Sequence, residues 1–146
     1  MPTTYYSTRC TTPAKPARGG DNGALSVVGT FAVNDAANML VAGNVIQMVT
    51  VPKGAVILDV ILNSTDLDTN ASPTITMSVG DGDAANRFIN ASNVAQAGGV
   101  ARASQAANSI GYTYTAEDTI DITIAANAAT AANGTINLVV LYAMQA

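Results

Sequence analysis

The 146-residue sequence has no histidine and no tryptophan, and its only cysteine is Cys10. Losing histidine removes the commonest general base and the commonest metal ligand. A single cysteine excludes an intrachain disulfide, Cys–His catalysis and thiolate zinc sites. Charge is scarce as well. Asp, Glu, Lys and Arg make up 11% of the chain, against about a quarter in an average soluble domain. Asn, Ser and Thr supply the polarity instead, which suits strands, because Glu, Lys and Arg are the usual surface residues of helices. The longest wholly apolar run, "LVVLYAM" at 138–144, falls far short of the roughly 20 residues that span a bilayer. The opening "MPTTYYSTRC" lacks the apolar centre of a secretory signal. The expectation is therefore a soluble protein made in a reducing cytoplasm. The N-x-[ST] matches at Asn63, Asn70, Asn90 and Asn133 then reflect only the abundance of these residue types. No G-x-S-x-G, S-x-x-K or G-x-x-x-x-G-K-[ST] motif occurs.

What is present is unevenly distributed. The formal net charge of −4 disfavours nonspecific nucleic-acid binding. Residues 1–20 nevertheless carry Arg9, Lys15 and Arg18 and no acid, while from Asp21 onward Lys53, Arg87 and Arg102 face ten acidic residues. A basic arm is joined to an acidic body. Pro13 and Pro16 bracket Lys15, and Gly19, Gly20 and Gly23 follow, with no helical or strand periodicity. Residues 1–24 read as a disordered tail or as an extended arm that orders on a neighbouring subunit, with Tyr5 and Tyr6 as anchors. Residues 25–146 form one domain, long enough to bury about two-thirds of its unfolded surface.

The body alternates short strands with turn chemistry. "ALSVVGTFAV" at 24–33 and "VIQMVTV" at 45–51 are rich in β-branched residues, and Pro52-Lys53-Gly54 makes a turn. "AVILDVILN" at 55–63 places Val56, Leu58, Val60 and Leu62 on one face and Ile57, Asp59, Ile61 and Asn63 on the other. "TITMSVG" points Ile75, Met77 and Val79 inward and Thr74, Thr76 and Ser78 outward. Residues 91–109 read as a long loop or as a loop with a short helix over 100–107. "IGYTYT" aligns Ile110, Tyr112 and Tyr114, and "TIDITIA" aligns Ile120, Ile122 and Ile124. Asn133-Gly134 then marks a turn. In the last strand, Ile136, Leu138, Val140, Tyr142 and Met144 share one face, while Val139, Leu141 and Ala143 make the other face apolar too. A strand apolar on both sides is covered on both sides, here by a partner subunit or by a loop of the same chain. Val139, Leu141 and Ala143 are thus candidate oligomer-interface residues. Seven or eight such strands predict an all-β sandwich or jelly roll.

Three patterns suggest chemistry, and each weakens on inspection. "VGDGDAANRFINA" at 79–91 has the G-x-G-x-x-G/A spacing of a dinucleotide loop. A pyrophosphate there would meet Asp81 and Asp83, and no helix follows to receive it. The stretch reads as a strand-ending turn: Val79 points inward, Gly80 and Gly82 allow the reversal, and Asp81 and Asp83 face solvent. Phe88 and Ile89 rejoin the core, and Arg87 is available to a nearby acid. Asp66, Asp68 and Asn70 open like an EF-hand loop, but Ala71 and Met77 occupy its glycine and glutamate positions. Solvated turn aspartates are the simpler reading, with an irregular cation site at Asp66/Asp68 or Asp81/Asp83 left open. Glu117 and Asp121 share strand parity, but about 13 Å of extended chain separates them, beyond the roughly 5–9.5 Å of glycosidase pairs. No catalytic residue, metal ligand or cofactor is assigned, and no enzyme is expected.

"VGDGDAANRFINA" followed by "GYTYTAEDTIDITIAANAATAANGTINLVVLYA" resembles small structural proteins of tailed bacteriophages. In these a V-G-D…D-R-F/Y-I segment precedes G-Y-x-Y-T-x-x-D-T-I, an Ala/Thr-rich loop and a final T-I-x-V-x-V-x-Y strand. The resemblance covers about residues 45–146 and is to capsid cement, or head-decoration, proteins. It implies a sandwich or jelly roll that trimerises on the capsid surface, with the major capsid protein and further copies of the chain as partners. Neither nucleic acid nor membrane is implied as a partner, and the location implied is the virion. The arm lies outside the resemblance; Tyr5, Tyr6, Arg9, Lys15 and Arg18 are its candidate capsid contacts on charge and composition alone. A tail- or fibre-associated β module binding host glycan is the alternative, disfavoured by the absence of tryptophan and by only five tyrosines and two phenylalanines.

Overall fold

The computed structural model describes residues 1–7, Cys10, 23–103 and 109–145, with the side chain of Asp35 excepted. Nine strands occur among the described residues: β1 Thr4–Tyr6, β2 Leu25–Val33, β3 Val45–Val51, β4 Ala55–Ser64, β5 Thr76–Gly80, β6 Ile89–Ser92, β7 Gly99–Arg102, β8 Asp118–Ala126 and β9 Gly134–Met144. They form two sheets, ordered β1-β3-β8-β5-β6 and β2-β9-β4-β7. All pairings are antiparallel except that of β1 with β3, where Tyr5 lies opposite Ile46. The molecule is an all-β sandwich. Among the described residues no helix is long and apolar enough to cross a membrane.

Alternation decides which residues fill the space between the sheets. Ile46, Val49 and Val51 of β3, Met77 and Val79 of β5, and Ile120, Ile122 and Ile124 of β8 are buried from one side. Phe31 and Val33 of β2, Val60 and Leu62 of β4, and Ile136, Leu138, Val140 and Tyr142 of β9 meet them from the other. Each fully buried aliphatic side chain contributes ~1.5–3 kcal/mol. Phe88 and Ile89 do rejoin this core.

The observed faces depart from simple alternation where the ladder is irregular. Register shifts between Ile57 and Asp59 against β9. A bulge inserts an unpaired residue and inverts the parity beyond it. Ala55 and Ile57 are therefore buried before the bulge and Val60 and Leu62 after it, while Leu58 is 41% exposed. The expected grouping of Val56 and Leu58 with Val60 and Leu62 is corrected accordingly. A second shift lies between Gln47 and Val49 in β3. There the Met48 carbonyl accepts from the Ser7 hydroxyl. A Cβ on Gly29 would strike that same carbonyl, so glycine at this position lets β2 close against β3.

Two further segments differ from expectation. Residues 110–115 are turn-like, with Thr113 making an isolated bridge to Val56. Ile110 is exposed and Tyr114 buried, so the three apolar residues do not share a face. Residues 99–102 form β7 on the edge of the second sheet, where a loop or short helix was expected; residues 104–107 lie outside the described residues.

Candidate interaction surfaces

The turn from Gly80 to Phe88 is built around a carboxylate. A Cβ on Gly80 would overlap the Ala84 carbonyl and contact Ala85, so the turn packs directly over the backbone at that position. The Asp81 carboxylate accepts from the Ala84 amide at 2.9 Å and the Asp83 amide at 3.2 Å. Arg87 donates to it through Nε at 2.6 Å and Nη2 at 3.1 Å, and the Tyr114 hydroxyl donates at 2.9 Å. Arg87 also lies 3.9 Å from the centre of the Tyr112 ring, which meets Tyr114 edge-on. Asp81 therefore does not face solvent as expected; it is buried and joins the turn to the 110–115 loop, while Asp83 is exposed. Burial pushes the Asp81 pKa upward, but Arg87, the Ala84 amide and Tyr114 outweigh it and hold the carboxyl below its ordinary range. Burial and the Asp81 charge push the Tyr114 hydroxyl far above its usual range. Arg87 is the partner that the sequence offered; Tyr114 reads there as part of a strand face with Ile110 and Tyr112, and its bond to Asp81, 33 residues away, is set by the fold.

Asp68 performs the same service at the other end of β5. Its carboxylate accepts from the amides of Thr74 at 2.7 Å, Thr130 at 2.8 Å, Ala129 at 2.9 Å, Ile75 at 3.1 Å and Asn70 at 3.4 Å. Desolvation alone would raise its pKa; the Thr130, Ala129, Thr74 and Ile75 amides reverse this and hold it far below the carboxylate range. The expectation of a solvated turn aspartate fails for Asp68, which is 1% exposed, and holds for Asp66. Carboxylates whose lone pairs face N–H and O–H donors offer little to a cation, and the donor sets around Asp68 and Asp81 are of this kind. Among the described residues no cluster of three or more His, Cys, Asp or Glu is arranged to hold a metal.

Val139, Leu141 and Ala143 lie on the outer face of β9 and are half-buried. Cross-strand register places Val28 beside Val139, and Ile61 on its other side. Val56 neighbours Ala143, and Val100 on β7 lies opposite Asn63. Leu58, Val28 and Val100 are exposed on this sheet. The face is apolar and nearly neutral; its ion pair joins Arg102 to Asp59. Among the described residues the strands form these two sheets and no third.

The candidate arm residues separate. Tyr5 and Tyr6 belong to β1; Tyr5 packs against Phe31 with ring centres 6.1 Å apart, and Tyr6 is exposed. Arg9, Lys15 and Arg18 lie outside the described residues. Cys10 Sγ approaches Gln47 Oε1 at 3.7 Å. Its thiol pKa is raised by burial, lowered in part by Thr50, and raised further by Asp121. Glu117 is exposed ahead of β8, whereas Asp121 is buried within it, a contrast the sequence did not indicate.

The fold and its carboxylates thus define a two-sheet β module in which Asp68 and Asp81 staple loops and apolar side chains line one outer sheet face. No protein-family model matches the chain, and no curated protein does. Solved structures do. A chain of the cyanophage Pam1 capsid asymmetric unit is 36% identical with a TM-score of 0.77, the match covering 90% of this chain and 92% of that one. A chain of the capsid of Ralstonia phage GP4 is 31% identical with a TM-score of 0.74, covering 99% of both. A chain of the acid-stable capsid of Helicobacter pylori bacteriophage KHP30, at 22% identity and TM-score 0.59, shares the fold. The protein belongs to this family of phage capsid-associated proteins.

Proposed function

We propose that the protein is a virion structural component without enzymatic activity that binds the outer capsid surface and bridges major capsid subunits, as a cement or decoration protein. The observation that carries this reading is the near end-to-end match to a chain of the GP4 capsid. Further support comes from the design of the body, in which Asp68 and Asp81 are committed to holding loops in place. Loops fixed in advance lose less freedom on docking, so more of the contact energy appears as affinity.

The outer face of β2-β9-β4-β7, centred on Val139 and Leu141, is the self-association surface in this reading, and a trimer the expected assembly. Three linked copies engage neighbouring capsid subunits together, which converts weak single contacts into strong attachment where geometry allows. The basic segment carrying Arg9, Lys15 and Arg18 steers that encounter with an acidic capsid surface, in a salt-dependent way. Synthesis in the host cytoplasm suits the lone cysteine.

The test is reconstitution. Purified protein mixed with capsids lacking it co-sediments with them at a fixed stoichiometry, and sedimentation of the free protein gives the trimer mass. Absence of co-sedimentation at low salt contradicts the capsid reading.

A further inference from the structure

Asp121 is a buried carboxylate without adequate partners. It sits on the outward face of β8 between Gln47 of β3 and Gly80 of β5. Outward residues of a sandwich are normally wetted, yet Asp121 is 7% exposed and its Oδ1 accepts no hydrogen bond. Two walls explain the burial. On the β5 side the Ala84–Ala85 backbone lies over Gly80. On the β3 side Cys10 lies over the outward side chains, its Sγ 3.7 Å from Gln47 Oε1 and close to Thr50 and Asp121, while the Ser7 amide extends the β1–β3 ladder to the Gln47 carbonyl at 2.8 Å.

The surroundings disfavour charge. Asp118 on the same strand and Asp81 beyond β5 are both carboxylates, Gln47 and Thr50 of β3 are neutral, and Cys10 is a thiol. Among the described residues, Thr119 is the group that favours the ionised form. Of the described cations in ion pairs, Arg87 is held by Asp81 and Arg102 by Asp59 on the other sheet. An ion buried without a counter-charge must be protonated or be let out to water. Burial, reinforced by Asp118 and Asp81, pushes the Asp121 carboxyl up to about 6.

The walls differ in strength. The 81–88 turn is pinned by Arg87, Tyr114 and two amides on Asp81. The other wall hangs on β1, a parallel edge strand of three residues. Its seat includes the Val45 amide on the Thr3 carbonyl at 3.0 Å, the Thr3 amide on Asn44 Oδ1 at 2.9 Å, the Ser7 contacts and the packing of Tyr5 on Phe31. We propose that Asp121 is a proton-controlled latch for the N-terminal strand: the neutral acid lets β1 and Cys10 close over it, and the carboxylate lifts them off β3. Opening bares the backbone edge of β3, the strand on which β1 sits. The inference concerns this chain alone and does not depend on the capsid reading.

Hydrogen exchange on the full chain tests it, at about pH 5 and about pH 8, corrected for intrinsic rates. The Ser7 and Val45 amides are expected to lose protection by about tenfold or more at the higher pH, while the β9 amides keep theirs. Asp121→Asn keeps β1 protected at both pH values, and Arg9→Gln behaves as the parent. Equal protection in the parent at both pH values overturns the latch, as does a pH dependence that survives in Asp121→Asn. Release of β1 at both pH values in Arg9→Gln also overturns it, since it assigns Asp121 a permanent cation. Should Asp121→Asn not fold, the carboxyl carbon-13 titration of Asp121 in the parent decides. A midpoint near 6 shared with the Ser7 amide supports the latch, and a midpoint in the ordinary carboxylate range refutes it.

Discussion

Asp68 and Asp81 flank β5 and solve one problem with different donors. Each carboxylate gathers backbone amides from an irregular segment, and Asp81 adds a guanidinium and a phenol. Asp68→Asn turns a donor amide toward several N–H groups, each left unsatisfied at about 1–3 kcal/mol; we expect a loss of ~2–5 kcal/mol in urea unfolding. The pH dependence has a definite sign. A carboxyl whose pKa is depressed by folding contributes stability above its unfolded value, near 3.9, and that contribution is lost as pH falls below it. The parent should therefore weaken progressively in acid below about pH 4, and Asp68→Asn should lack that component. Gly80 and Gly82 form a matched pair for the turn. Gly80→Ala forces its Cβ into the Ala84 carbonyl, whereas nothing lies within 4 Å of a Cβ on Gly82. The first should cost ~2–4 kcal/mol, and the second should be neutral or stabilise by up to ~1 kcal/mol, read from urea midpoints. The sequence marked these aspartates and glycines as noteworthy but not their burial. A carboxylate's amide partners are set by which loops the fold brings together, and Ala129 is 61 residues from Asp68.

At the scale of elements, what could be read depended on regularity. β2, β3, β5, β8 and β9 are legible as strands from β-branched composition or alternation, although β3 and β5 carry register shifts that the pattern does not announce. β4 was visible as a strand but not in its facing, because nothing in "AVILDVILN" announces the bulge near Leu58. β7 offers "GVAR" within a small-residue run, and its pairing with Asn63 and Ser64 is a tertiary choice. β1 is held by β3 rather than by its own pattern. The outer face of β9 is the element that the proposed self-association puts to use. Val139, Leu141 and Ala143 were singled out because β9 is apolar on both sides, and the fold puts Val28 and Ile61 beside Val139. Leu141→Asp places a charge in the centre of that face without touching the core. It should yield a folded monomer by sedimentation and circular dichroism, where the parent is expected to be a trimer. An unchanged assembly mass would move the self-association surface elsewhere.

For the whole molecule, the absence of histidine and the scarcity of charge pointed away from catalysis. The V-G-D…R-F-I and G-Y-T-Y-T segments pointed to phage structural proteins. The structure gives those segments a physical reading, since Gly80, Asp81, Arg87, Tyr112 and Tyr114 form one contact network. The arm must be tested with β1 in place, because Thr4–Tyr6 belongs to the sheet. Combined Arg9→Gln, Lys15→Gln and Arg18→Gln should leave the oligomer intact, weaken capsid binding at low salt and flatten its salt dependence. Attachment to the head as a bridge between capsid subunits is open to direct observation. Electron cryomicroscopy of virions bearing this protein tests it most directly. Many regularly spaced copies are expected on the outer capsid surface, each contacting more than one major capsid subunit. A few copies confined to the tail, or density on the head touching a single subunit each, would contradict it.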